Sequence, residues 1–317
     1  MKPNRATVLT FAEKCKNILA SNWQGHLNTI KADAKGSKND IYTSKVKYIL
    51  RKGKPYIWVP EKELHNVFCV LYLLLILFQN MIIDERGSFS VTTPYPGPLA
   101  SLLRSIKKLP ARVALTGDVV PHKDEKSATE SLREIIFSEQ NAIREFSYTV
   151  SGVLSSSNIH DTSRTENLKT LLEADEEYVI YKFNPRSCVF IDGNGSTHEV
   201  DFEDMSSSKV DRLAPLSAKI IDGINQSEAR RRALMLFCLT YLNANAKDAY
   251  MLSIDRKGFN VLGKVSTPVS KEGPSYQWKE YRFALKEEAR DVETFCRQLV
   301  EMEEEAIKHV SSCSGLG

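Results

Sequence analysis

Thr43-Ser44-Lys45-Val46-Lys47-Tyr48-Ile49-Leu50, Arg51-Lys52-Gly53-Lys54 and Pro55-Tyr56-Ile57-Trp58-Val59 form the stretch whose reading decides the fold. Residues 41–50 mix polar and apolar positions, and 55–59 is a short aromatic and β-branched run. Both read as strands, and the glycine-containing segment between them reads as the turn of an antiparallel hairpin. On the N-terminal side, residues 25–30 form another strand-like segment. On the C-terminal side, residues 88–93 follow Asp84-Glu85-Arg86-Gly87, and residues 111–120 follow a Pro/Gly stretch. Short strands with turn signals, unbroken by regular helices, predict an antiparallel barrel rather than a parallel sheet.

Helices flank this pattern. Phe11, Cys15, Ile18 and Leu19 recur at helical spacing, which predicts a helix over 10–20 with Lys14 and Lys16 on its wet face. A second helix is expected over 125–146, and the Ser-rich segment 151–165 is expected to be a mobile loop. Residues 177–183 and 188–191 read as two strands, the second ending in the turn Asp192-Gly193-Asn194-Gly195. That glycine pair is a common turn rather than a phosphate loop.

Beyond Leu213 the pattern changes. Asn225 with Glu228 reads as a capping box for a helix to about 243. The cluster Arg230-Arg231-Arg232 reads as a solvated helix face rather than an anion clamp. Strands over 249–254, 259–265 and 277–285 and a helix over 286–307 complete the chain. The fold class is therefore α+β: an antiparallel split barrel over 8–203, then a small domain over 210–310 made of a helix, a three-stranded antiparallel sheet and a helix.

Composition narrows the function. The 317 residues are 42% hydrophobic and 26% charged, enough apolar content for a packed core. A net charge of +3 is too near balance to indicate a nucleic-acid protein. Lysines crowd the first part of the chain, which either draws an anionic ligand or marks solvated faces. Cys15, Cys69, Cys188, Cys238, Cys296 and Cys313 form no Cys-x-x-Cys pair, which argues against a structural zinc site and a disulfide framework and for a reducing compartment. No histidines stand at i, i+4 spacing, and neither a P-loop nor a Gly-x-Gly-x-x-Gly occurs, so ATPases, Rossmann dehydrogenases and zinc hydrolases are poor fits. The first residues show neither a signal peptide nor a long transit peptide.

The ordered run Thr43-Ser44-Lys45-Val46-Lys47-Tyr48, Gly53-Lys54-Pro55, Leu64-His65-Asn66, Asp84-Glu85-Arg86-Gly87-Ser88, Pro98-Leu99-Ala100 and Ala111-Arg112-Val113-Ala114-Leu115-Thr116-Gly117 resembles the FMN-binding split barrel of the pyridoxamine 5'-phosphate oxidase-like superfamily. The nearest branch is similar to the CREG-like β-barrels and the haem-utilisation (HugZ-type) proteins, in the long versions found in plant plastids. Residues 215–305, above all Leu252-Ser253-Ile254-Asp255-Arg256-Lys257-Gly258-Phe259, resemble the C-terminal domain that follows the barrel there.

The resemblance implies a homodimer that holds FMN or haem in a groove between subunits. It implies a flavin- or haem-dependent oxidoreductase linked to tetrapyrrole or haem metabolism. The alternative is a non-catalytic binding or regulatory module that holds an enzyme of plastid tetrapyrrole synthesis. A plastid location is implied, with the cytoplasm as the alternative. Cofactor contacts carry over to Thr43, Ser44 and Lys45, to His65 and Asn66 (separated in the family, adjacent here), to Arg86 and Ser88, and to Arg112. Hydroxyls and cations suit a phosphate or propionate. HugZ-type relatives place histidines at the first helix of the C-terminal domain, and one C-terminal histidine ligates the iron. Here Ile224-Asn225-Gln226-Ser227-Glu228-Ala229-Arg230 holds none, and neither His198 nor His309 matches a ligand position. That departure weakens haem oxygenation of the HugZ kind and predicts a structural or partner-binding C-terminal domain. The arginine-lysine FMN signature of the oxidases proper is absent too.

Phe68-Cys69-Val70-Leu71-Tyr72-Leu73-Leu74-Leu75-Ile76-Leu77-Phe78-Gln79 stands apart. It reads as a transmembrane helix, a buried element, or a segment foreign to the fold. The run is shorter than the roughly 20 residues a spanning helix needs, and no membrane role is expected. Relatives run from His-Asn-Val almost directly into Asn-x-Ile-Ile-Asp-Glu-Arg-Gly-Ser. The codons of Phe, Leu and Ile are pyrimidine-rich, and Phe-Gln can be encoded by a string ending in CAG, as in the 3' tail of an intron. Translated intron sequence would protrude beside His65 and Asn66 as an apolar patch. Deleting residues 68–79 is expected to raise soluble yield and leave the barrel intact; a deleted form that misfolds refutes this reading.

Overall fold

The computed structural model describes residues 8–32, 39–61, 86–95, 97–146, 148–154, 163–173, 177–267 and 275–313. Residues 68–79, His65 and Asn66 lie outside the described residues. The hairpin forms as the sequence predicts: β2 (Asn39–Arg51) pairs with β3 (Lys54–Pro60), with Arg51 opposite Lys54. Lys52 and Gly53 between them have φ of 48° and 77°, the paired positive values that a tight two-residue hairpin turn requires.

With β1 (Gln24–Ala32), β4 (Arg86–Thr92), β5 (Arg112–Pro121) and β6 (Tyr178–Ile191), these strands run in the order β3-β2-β1-β4-β5-β6, and β6 pairs back to β3. Every pairing is antiparallel, so the sheet closes into a barrel. Closure leaves no long unpaired edge. A short β7 (Thr197–Val200) extends β6 as a hairpin.

Alternate side chains fill the barrel: Leu27, Val46, Tyr48, Phe89, Leu115 and Phe183 are all buried in one cluster. The helix α1 (Phe11–Ser21) joins this cluster with Cys15 and Leu19, and the Tyr48 hydroxyl donates to the Leu19 carbonyl at 2.7 Å. Thr10 and Glu13 form a reciprocal capping box at its start. The expected wet face is not there. Lys16 is only 4% exposed and Lys14 is half-buried, because α1 packs against the barrel on one side and the turn at 214–216 on another.

Helices interrupt the strands; the one expected over 125–146 is present, and the others are contrary to expectation. Between β4 and β5 the Pro/Gly stretch contains α2 (Gly97–Ser105), and after β5 comes α3 (Glu125–Arg144). The segment expected to be one mobile loop is bounded by α4 (Tyr148–Val153) and α5 (Ser163–Glu173); residues 155–162 lie outside the described residues. Ala128, Leu132 and Ile136 of α3 and Leu168 and Leu171 of α5 cover the outer face of the β2–β3–β6 sector at Ile49, Trp58 and Ile180. The two strands expected over 177–191 are one strand, β6.

After α6 (Phe202–Ser207), α7 (Ser217–Gln226) and α8 (Glu228–Leu242) precede the sheet β8 (Ala246–Asp255), β9 (Gly258–Ser266) and β10 (Tyr276–Ala284), and α9 (Val292–Cys313) follows it. The last helix starts at Val292 rather than 286, with Asp291 accepting from the Thr294 amide. The expected Asn225 cap is displaced as well. Ser227 caps α8 by accepting from the Arg230 amide, while Asn225 is buried inside α7. Arg232 is solvated as expected, but Arg230 pairs with Glu303 and Arg231 with Tyr250 and Asp248. The second core also takes in Leu99 and Leu103 of α2 and Val150 and Val153 of α4. A polar latch ties it to the barrel helix. Arg256 pairs with Glu13, and Asp211 accepts from the Arg256 amide at 2.7 Å while donating its own amide to Asn17.

Candidate functional site

Strand register assigns the candidate residues to faces. Thr43 lies opposite Asn28, Asn28 opposite Ser88, Ser88 opposite Thr116 and Thr116 opposite Ser187, so one polar row crosses five strands. Thr43 donates to Asn28 Oδ1 at 2.7 Å, Asn28 Nδ2 donates to Ser88 Oγ at 3.0 Å, and the Thr116 and Ser187 hydroxyls meet at 2.5 Å. The next row reads Lys45, His26, Ser90, Ala114 and Val189. One row further, Arg112 lies between Thr92 and Ile191.

All these side chains alternate with the inward set, so they face outward on the sector that α3 and α5 leave open. Lys45, His26, Arg112 and Thr116 are exposed. Neither Lys45 nor Arg112 has an ion pair or hydrogen bond among the described residues. Three strand spacings and one pleat repeat separate them, ~16 Å between Cα positions. The register thus brings Thr43, Lys45, Ser88 and Arg112 onto one face. Ser44 is not with them: it lies opposite Leu27, in the inward-pointing set. Arg86 pairs with Asp118 through the backbone at the edge of this face, and its side chain lies outside the described set.

The face is shaped by a bulge. The β5–β6 register shifts at Thr116/Gly117, where a Cβ on Gly117 would stand 2.1 Å from the Asn184 carbonyl oxygen. Only glycine permits that approach.

No protein-family model matches the chain, and no curated protein matches it. Solved structures do. The heme binding protein from Mycobacterium smegmatis aligns over 95% of this chain and 99% of its own, at 18% identity and a TM-score of 0.51. The chain has the split-barrel fold. Two weaker likenesses are HutZ, the heme storage protein from Vibrio cholerae, and a putative pyridoxamine 5'-phosphate oxidase from Corynebacterium glutamicum. The first has 9% identity, 59% and 100% coverage and a TM-score of 0.33; the second has 12%, 55% and 83%, and 0.26.

On the split barrel, His26 is a candidate residue of the outer face that sequence reasoning missed. Its imidazole lies on the outer face, with Lys45 across one strand pair and Ser90 across the other. Alternation with the buried Gly25 and Leu27 marks it as outward. Only the β1–β2 register sets it beside Lys45, and register is not written in either strand alone. Imidazole is a common protein ligand of haem iron. His26, Lys45 and Arg112 therefore match the donor chemistry that a haem requires, and Lys45 with the Thr43 and Ser88 hydroxyls matches that of a flavin phosphate.

Proposed function

We propose that this split-barrel protein binds haem or a flavin on the open outer face of β2, β1, β4 and β5, where a second copy of the chain closes the groove. The observation that carries this reading is that Lys45, His26 and Arg112, without ion pairs or hydrogen bonds among the described residues, share a face that α3 and α5 do not cover. Similarity of fold to a heme binding protein over nearly the whole chain supports it. His26 would ligate a haem iron, and Lys45 and Arg112 would hold its propionates; Thr43, Lys45 and Ser88 would hold an FMN phosphate. Bound there, haem would supply one-electron chemistry and a flavin one-electron or hydride chemistry, neither of which amino-acid side chains provide.

Titration of the purified protein with haemin and with FMN, followed by absorbance and light scattering, tests the reading. A saturable Soret or bound-flavin band on a dimer is expected. Lys45→Ala and Arg112→Ala should each weaken binding by roughly ten- to 150-fold, the range for charge-assisted hydrogen bonds. His26→Ala should displace the Soret maximum while sparing FMN. A monomer with no spectral change at micromolar ligand overturns the proposal. We extend it to oxidative turnover of a tetrapyrrole: bleaching of the Soret band by ascorbate in air supports that role, and a persistent band leaves a binding module.

A further inference from the structure

At the barrel end closed by α1, a cavity of ≈ 520 Å³ opens between that helix, the β6–β7 turn and the β8–β10 sheet. Leu9, Ile18, Ile221 and Leu252, all buried, give it an apolar wall. Its rim is aromatic. Phe11 stacks on His198 with ring centroids 4.2 Å apart, and on Phe190 at 5.3 Å.

Among the described residues, the charged side chains lining the cavity have direct partners, with one exception. Lys108 meets Glu280 at 2.9 Å, and Arg282 grips Asp255 with two bonds of 2.7 and 2.8 Å. Asp192 lies 3.6 Å from His198 and accepts the backbone amides of Asn194 and Ser196. Lys14 remains. Its ammonium lies 5.2 Å from the centre of the Phe11 ring and 5.7 Å from that of Phe190, with no ion pair or hydrogen bond among the described residues. Burial draws its pKa below the ordinary lysine value, against the opposing pull of Asp255, Glu280 and Asp192. A partly desolvated cation of this kind gains from a counter-ion.

Unused donors line the same space. The Tyr95 and Ser253 hydroxyls have no hydrogen-bond partner among the described residues, and burial raises the Tyr95 pKa, which keeps that phenol protonated. Asn17 accepts from the Asp211 amide through Oδ1, and its Nδ2 has no acceptor among the described residues. The lining sets Lys14, Lys108 and Arg282 against Asp192, Asp255 and Glu280, so its formal charges balance, but among the described lining residues the Lys14 ammonium alone of these has no direct partner, and the wall beside it is apolar. Pockets of this make-up, at the junction of two packed units, are common ligand sites.

We propose that this cleft binds a planar aromatic monocarboxylate, its carboxylate on Lys14 and the adjacent donors and its ring against Phe11 and the apolar wall. The site is separate from the outer sheet face and needs neither haem nor flavin. Beside Lys14 a carboxylate finds one cation without a direct partner among the described residues, and a dianion would find no second.

Calorimetric titration of the full chain with 2-naphthoate, and with 2-naphthamide as its neutral isostere, tests the assignment. Naphthoate is expected to bind at least tenfold more tightly than the amide. Lys14→Met should erase that preference. Tyr95→Phe, which removes a single oxygen, should weaken naphthoate several-fold and so gives a reading even if the lysine variant folds poorly. Equal affinity for the two probes, or unchanged naphthoate affinity in Tyr95→Phe and in a folded Lys14→Met protein, overturns the proposal.

Discussion

Phe259→Ala is expected to destabilise the C-terminal unit by about 3–5 kcal/mol, the range for removing a fully buried phenylalanine. The ring is 0% exposed and lies where four elements meet. It stacks on Phe283 of β10 at 5.3 Å, meets Phe295 of α9 edge-on at 6.2 Å, and lies 6.0 Å from Phe237 of α8. Its own strand, β9, is the middle one of the sheet, paired on both sides. A central strand cannot shift to fill the space that alanine would leave, so the cavity persists and its cost is felt in full. Urea denaturation followed by near-ultraviolet circular dichroism measures it. Phe259→Leu, which keeps most of the volume, should lose much less. A cost under about 1 kcal/mol for alanine would mean that the sheet collapses around the gap.

What the sequence discloses and what it hides follow from distance along the chain. The β2–β3 hairpin is legible because alternation and a glycine turn are local signals. So is the closing helix, whose stripe of Val292, Phe295, Leu299 and Met302 repeats at helical spacing. Helix α2 hides in a Pro/Gly stretch because Pro98 stands in its first turn, where a proline costs no hydrogen bond. Strand β6 reads as two because Asn184-Pro185-Arg186-Ser187 has the composition of a turn. In the fold, Pro185 lies opposite Gly117 at the β5 bulge, one of the few places where a strand tolerates proline. Lys16 reads as solvated because its burial depends on what covers α1, which no local pattern records. The candidate site divides in the same way. Thr43, Lys45 and Arg112 can be picked out by residue type and order, whereas the company of His26 and the inward turn of Ser44 need the register of strands far apart in the chain.

Asn225→Ala should prove far costlier than the loss of a helix cap, about 2–4 kcal/mol where a cap is worth about 1. Asn225 is 3% exposed, and its amide makes two bonds to a single residue of the neighbouring sheet. Nδ2 donates to the Met251 carbonyl at 2.9 Å, and Met251 donates its amide to Oδ1 at 2.7 Å. Met251 belongs to β8, an edge strand of its sheet, beside an irregularity in the β8–β9 register. The side chain thus does for the strand edge what a further strand would do. Alanine leaves a buried donor and a buried acceptor without partners, each costing about 1–3 kcal/mol. Asn225→Asp separates the two bonds, because it keeps the acceptor and places a carboxylate oxygen against the Met251 carbonyl; it should be at least as destabilising as alanine. Ser227→Ala, at the actual N-cap, should cost only about 1 kcal/mol. Chemical denaturation of the three variants decides the matter, and equal small losses for Asn225→Ala and Ser227→Ala would return Asn225 to the role of an ordinary helix-end residue.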